Sequence, residues 1–189
     1  MKPIYIAFGA NLSNPKETFL AATKSLEACG VSLVKMSGLW QSPAWPPGSN
    51  QPDYINACAE VSFDGEARVL LDILHKVEAE FGRSRTVKNA ARALDLDLLD
   101  FRGQVIEDEG GMVVPHPRML TRGFVLFPLA EIAGEWRDPM QSRTVMDWIA
   151  RLPLADVEGM KRLNNFTLRH YKARPCNPSP SLLFRHHPA

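Results

Sequence analysis

Apolar positions along the first hundred residues fall into short runs, alternating runs and helical stripes. Ile4-Tyr5-Ile6-Ala7-Phe8 is a short apolar run closed by Gly9-Ala10-Asn11, which predicts a buried first strand. Asn14 fits a helix N-cap, with Pro15 at the first helical position and Glu17 three residues past the cap. Phe19, Ala22 and Leu26 then recur at helical spacing, and Gly30 suits the stop. Val31 to Trp40 predicts a second strand. Ser42-Pro43-Ala44-Trp45-Pro46-Pro47-Gly48 can serve neither element and predicts a loop.

From Tyr54 to Phe63 the pattern alternates, with Ile55, Ala57, Ala59, Val61 and Phe63 on one side and Tyr54, Asn56, Cys58 and Glu60 on the other. Leu70, Ile73, Leu74, Val77 and Phe81 make one stripe of a helix running from Glu66 to Phe81, which Gly82 ends. A basic loop from Arg83 to Arg92 leads into a strand from Leu94 to Phe101 that turns at Arg102-Gly103. Two short helical stretches follow Pro115-His116-Pro117, near Phe124 to Ala133 and Thr144 to Leu152. The order strand, helix, strand, strand, helix, strand predicts an α+β fold of ferredoxin-like type. Its antiparallel sheet carries the two helices on its face, with C-terminal helical additions.

Composition limits what such a fold could do. The 189 residues suffice for one domain with a proper core, and the sequence shows no internal repeat. No apolar run reaches the length of a membrane span, and the N-terminal run is too short for a signal peptide. Cys29, Cys58 and Cys176 offer neither a disulfide framework nor a metal-like spacing. A cytoplasmic location is therefore expected. The net charge of +1 hides an asymmetry: Lys161, Arg162, Arg169, Lys172, Arg174 and Arg185 lie at the end with no acid among them. Residues 1 to 160 then hold 16 basic and 21 acidic side chains, a net of −5. An acidic body argues against general nucleic-acid binding, which needs a basic footprint. Residues 1–163 are read as one folded domain, and 164–189 as a basic, proline-containing tail expected to be poorly ordered.

Asp95 and Asp97 are the sharpest chemical feature. Two apart on a strand, their carboxylates leave one face about 6.6 Å apart along the backbone. Hard oxygen ligands at that separation suit two Mg²⁺ ions bridged by phosphate oxygens, although alternation alone equally serves a solvated acidic face. Arg83, Arg85, Lys88 and Arg92 stand just before them, and guanidinium groups clamp phosphates bidentately. Basic loop and acidic strand explain each other's charge as a metal–polyphosphate site. Tyr54 and Asn56 share one strand face, an aromatic plus an amide such as a heterocycle would need. His75 and Glu78 are placed on the helix face opposite the apolar stripe, which is also where ordinary solvated residues sit. His116, Arg122 and Phe124 form a loop cluster of imidazole, cation and ring. Spacing alone selects no one phosphate enzyme.

Taken together, these segments resemble the 6-hydroxymethyl-7,8-dihydropterin pyrophosphokinase family. The resemblance rests on Lys88-Asn89-Ala90-Ala91-Arg92-Ala93-Leu94-Asp95-Leu96-Asp97-Leu98-Leu99, on Phe8-Gly9-Ala10-Asn11-Leu12, on Gln51-Pro52-Asp53-Tyr54-Ile55-Asn56-Ala57, on Val114-Pro115-His116 and on Arg122 to Ile132. These are in the family's order over about residues 3 to 152. The resemblance implies transfer of the β,γ-diphosphate of ATP to a pterin hydroxymethyl group, releasing AMP, in folate biosynthesis. It implies that Asp95 and Asp97 hold two Mg²⁺. Tyr54 and Phe124 would sandwich the pterin, and Asn56 would read its edge with backbone groups around Ser42, Pro43 and Trp45. His75, Glu78, Arg83, Arg85, Arg92, His116 and Arg122 would contact ATP, with Leu98 offering its backbone to adenine; Arg83 and Arg92 would also serve catalysis.

The chain departs from the family pattern at a few points. Ala10 replaces a usual Ser, the Arg85–Arg92 segment is about one residue short, and Asn89 stands near a common Trp. His75, Val113 and Pro117 replace a frequent Gln, hydroxyl residue and Tyr. Two rivals are a paralogue that binds pterin or ATP without turnover and a ferredoxin-like RNA-binding module. The first would be favoured by loss of an aspartate, yet both are present. The second stacks bases on a recognisable aromatic run, which is missing here. The sequence leaves the oligomeric state open.

Overall fold

The computed structural model describes residues 2–45, 48–82 and 91–163. Strand β1 (Ile4–Ala10) is buried on both faces, as its unbroken apolar run requires. Helix α1 (Pro15–Ala28) follows, with Phe19, Ala22 and Leu26 facing inward. The expected capping box is not made: the Asn14 side chain caps nothing, and its carbonyl accepts the Thr18 N–H at 3.0 Å. Gly30 adopts φ +82°, the left-handed conformation that ends a helix.

The expected strand from Val31 to Trp40 is in fact two, β2 (Ser32–Met36) and β3 (Leu39–Ser42). Ser37 makes the break, because its Oγ accepts the Cys58 N–H at 3.0 Å and donates to the Gly38 carbonyl at 2.8 Å. A side chain there does part of the work of the backbone ladder. Both strands pair antiparallel with one edge of β4 (Tyr54–Ser62), whose other edge pairs with β1. Helix α2 (Ala67–Glu80) buries Leu70, Leu74 and Val77.

Strand β5 (Asp95–Phe101) pairs with β1 on the side away from β4. A register shift opposite Tyr5/Ile6 sets Leu98 against Ile6 but Asp100 against Tyr5, so Leu99 is an extra residue. Beyond β5 come the small hairpin β6 (Ile106–Glu107) and β7 (Val113–Val114), helix α3 (Gly123–Ile132), short helices α4 (Val145–Ile149) and α5 (Leu154–Glu158), and strand β8 (Lys161–Leu163). The hairpin, α5 and β8 are too short to show a period in the sequence. Strand β8 joins the sheet on β3, giving the order β5-β1-β4-β3-β8 with β2 also on β4.

Two apolar clusters fill the two faces. One, around Ile4, Ile6, Phe8, Phe19, Leu70, Leu74 and Leu96, lies under α1 and α2. The other joins Tyr5, Ala7, Cys58 and Leu99 to Leu126 and Leu129 of α3 and Val145 of α4. The α+β, ferredoxin-like expectation with C-terminal helical additions holds, and those additions cover the sheet's second face. Among the described residues no helix is long and apolar enough to cross a membrane. Residues 164–189, Arg83, Arg85, Lys88 and Asn89 lie outside the described residues.

Candidate active site

Sheet register lays out the site. Gly9 of β1 lies between Asn56 of β4 and Asp95 of β5, and Ala7 lies between Cys58 and Asp97. Alternate residues of a strand leave the same face, so these six positions form two rows on the α3 side of the sheet. Strands are about 4.8 Å apart, which separates Asn56 from Asp95 by about 10 Å. Between them Gly9 contributes no side chain. Among the described residues, a Cβ built on Gly9 would meet only Asn56 Oδ1 and Asp95 Cβ, each at 3.6 Å. The floor is thus open in the middle, with an amide on one side and two carboxylates on the other.

On the acidic side, Arg92 Nη1 donates to Asp95 Oδ2 at 2.8 Å. Asn11 fixes the Arg92 backbone: its Oδ1 accepts the Arg92 N–H at 2.8 Å, and its own N–H reaches the Arg92 carbonyl at 3.1 Å. Its Nδ2 donates to Gln51 Oε1 and the Pro52 carbonyl, both at 3.3 Å. Buried Asn11 therefore ties the end of β1 to the segments entering β4 and β5. The sequence presented it as part of a turn and of one resembling segment, with no role of its own. Its signal was a polar residue set directly after a buried strand.

Asp97 faces Arg122 and His116. Arg122 Nη1 stands 3.7 Å from Asp97 Oδ2, and His116 Nε2 stands 4.0 Å from Asp97 Oδ1. The His116 N–H donates to the Leu99 carbonyl at 2.9 Å, which seats the residue on the open edge of β5. His116 Nδ1 accepts the Arg118 N–H at 3.2 Å, so a neutral ring carries its proton on Nε2, facing Asp97. Burial lowers the His116 pKa below its ordinary value; Asp97 opposes this, while Arg122 and Arg118 add to it. Burial likewise lowers that of Arg122, joined by Arg118 and opposed by Asp97 and Asp95. Arg122 also lies over the Phe124 ring, 5.3 Å from its centre. Arg122 is thus a partly desolvated cation held against a carboxylate, with an imidazole N–H beside it, a setting that strengthens attraction for an incoming polyanion.

Across the floor, Asn56 is buried and its orientation is fixed. Its Nδ2 donates to Ser42 Oγ at 2.9 Å and to the Trp40 carbonyl at 3.4 Å. A carbonyl can only accept, so the amide nitrogen must face β3 and Oδ1 faces the floor at Gly9. That leaves an acceptor aimed at the site. Tyr54 begins β4 and Phe124 is the second residue of α3, both half-buried at its margins. Pro43 and Trp45 are exposed on the adjoining loop, Trp45 at 63%.

The remaining residues named from sequence are less uniform. Glu78 is a correction: it is 1% exposed rather than solvated, and its Oε1 accepts the Leu96 N–H at 2.7 Å. At i+4 from Leu74 it belongs to the buried margin of the stripe, where it gives the open edge of β5 an acceptor. Leu98 is buried in the core, which leaves only its backbone for a ligand. His75 is half-buried on α2. Arg83 and Arg85 lie outside the described residues. Among the described residues no group of three or more His, Cys, Asp or Glu could hold a metal ion.

The chain was compared with known proteins. The model of a family described as 7,8-dihydro-6-hydroxymethylpterin-pyrophosphokinase matches residues 5–134, more than half of the chain. A 2-amino-4-hydroxy-6-hydroxymethyldihydropteridine pyrophosphokinase of Synechocystis sp. is 34% identical over 148 residues, covering 78% of this chain and 74% of its own. The protein of the same description from Pseudomonas aeruginosa is 37% identical over 161 residues, covering 85% and 96%. The crystal structure of HPPK-DHPS in complex with substrates is similar with a TM-score of 0.59 at 11% identity. It matches 79% of this chain, which spans 43% of that longer one, and the likeness speaks for the fold.

Proposed function

The chain belongs to the 7,8-dihydro-6-hydroxymethylpterin-pyrophosphokinase family, and we propose that it performs the corresponding reaction, moving the β,γ-diphosphate of ATP to 6-hydroxymethyl-7,8-dihydropterin and releasing AMP. The observation that carries this reading is the row Asn56–Gly9–Asp95, an acceptor and a carboxylate about 10 Å apart across a floor without a side chain. A flat bicyclic ring with a donor edge at one end and an alcohol at the other fits that span.

Asn56 Oδ1 accepts from the donor edge of the pterin, while Tyr54 and Phe124 flank the ring and Ser42, Pro43 and Trp45 border it. This directs the alcohol toward β5. There Asp95 and Asp97 would hold two Mg²⁺: two hard oxygens on one strand face fit an ion whose other ligands are phosphate oxygens and water. Bound there, the metal would supply neutralisation of phosphate charge. Arg92, His116 and Arg122 contact the polyphosphate, and Arg83 and Arg85, earlier in the chain and outside the described residues, are assigned to the same ligand by the family resemblance. Glu78, His75 and the Leu98 backbone belong to the nucleotide side.

In the transfer the alcohol oxygen bonds to the β-phosphorus and gives up its proton to water, while the bond from that phosphorus to the bridging oxygen breaks. AMP leaves with that oxygen. The protein's own work is holding the reactants in line and offsetting charge, without an obligatory covalent intermediate. Asp95→Ala and Asp97→Ala test this directly. Each is expected to abolish turnover while keeping the thermal melt, because both side chains leave the sheet face outside the core. Near-normal activity in either variant would defeat the reading of this strand.

A further inference from the structure

The segment after residue 152 packs against the side of the site that faces the pterin. Gly159 lies so close to Pro43 that a Cβ there would sit 2.7 Å from Pro43 Cγ and 2.8 Å from Cδ. Gly123, next to Phe124, lies so close to α5 that a Cβ would sit 2.6 Å from the Asp156 carbonyl oxygen. Strand β8 pairs Arg162 with Trp40, the residue whose carbonyl orients Asn56. Arg162 also pairs with Glu131, which accepts the Gly38 N–H at 2.7 Å and the Trp40 indole N–H at 3.2 Å. One stretch of chain therefore touches the pterin loop, the start of α3 and the strand behind Asn56.

We propose that residues 153–163 are a positioning strap for the pterin, holding Pro43, Phe124 and the Asn56 anchor at their working separation. They lie beyond residues 5–134, where the family model matches. The strap's β8 end is at the sheet edge opposite β5, four strand spacings or about 19 Å away. Contacts of the strap with Pro43 and Trp40 lie on the acceptor half of the site. Residues of the strap are positioning residues and touch no reacting atom. The inference rests on the function proposed above.

Gly159→Ala tests it with little backbone strain, since Gly159 has φ −74° and ψ −11°, a conformation open to any residue. The added methyl must displace Pro43. The full-length variant and wild type are titrated separately with MgATP and, in the presence of MgCl₂ and α,β-methylene-ATP, with 6-hydroxymethyl-7,8-dihydropterin. The pterin Kd should rise roughly tenfold or more, in line with the cost of misplacing a reactant contact, while the ATP Kd stays within about twofold. Arg162→Ala, which frees β8 from Glu131 without crowding anything, should shift the same ratio in the same direction and decides the matter if Gly159→Ala does not fold. A folded Gly159→Ala with unchanged pterin affinity, or equal weakening of both ligands, overturns the strap alone. Failure of the wild type to bind the pterin overturns the proposed function and the strap with it.

Discussion

Replacing Gly9 by alanine adds one methyl group to the floor between Asn56 and Asp95. The new Cβ would lie 3.6 Å from each neighbour, ordinary contact distance, and the Gly9 backbone is outside the left-handed region. Among the described residues nothing resists the change. Alanine in place of a strand-interior glycine should stabilise the domain by about 0.5–1 kcal/mol, raising Tm by about 1–4 °C for a chain of this size. The same methyl rises where the pterin is to lie flat. Displacing the ring by about 1 Å from its working position costs about 10²-fold in turnover. The assay is a thermal melt beside steady-state kinetics with the pterin varied at saturating ATP. A variant that melts higher and loses kcat/KM for the pterin supports the account. Full activity would mean that no substrate crosses this floor, and a lower Tm would mean that the space above Gly9 is not open.

Tyr54→Ala and Phe124→Ala should each weaken pterin binding by about 1–3 kcal/mol, the usual worth of base–aromatic stacking, with ATP binding nearly unchanged; equal losses for both ligands in separate titrations would count against a stacking role. Asp147 accepts from the Thr144 side chain and backbone in a capping box, which holds its carboxyl below the usual carboxylate range. A depressed folded pKa gives stability that is present above the unfolded value near 3.9 and lost as pH falls through the folded one. Asp147→Ala should therefore lower Tm at neutral pH, with the gap to wild type closing below about pH 4; a gap still undiminished at about pH 2 would assign the loss to something other than ionisation.

The long elements were legible in the sequence because their periods repeat: the stripe of α2 and the alternation of β4 both appear where expected. The placement of Asp95 and Asp97 on one strand face was legible from their spacing, whereas their chemistry was suggested only by the basic segment before them and by the family resemblance. Other features were set by contacts between distant segments. Ser37 divides the second strand only because Cys58 passes beside it, and the extra residue Leu99 arises from pairing with Tyr5 and Ile6. Glu78 could not be placed on the buried edge of α2 until β5 offered the Leu96 N–H. The same holds for Asn11, whose partners are 40 to 81 residues away. Residue type and order showed which chemistry to look for, and the register of β1 against β4 and β5 supplied its spacing.

The fate of ATP tests the central claim most directly. The protein is incubated with ATP, Mg²⁺ and 6-hydroxymethyl-7,8-dihydropterin, and the nucleotides and pterins are separated by chromatography. The account predicts AMP and pterin diphosphate formed in equal amounts, with no AMP when the pterin is left out. Formation of ADP with a pterin monophosphate, or no pterin-dependent consumption of ATP, would contradict it.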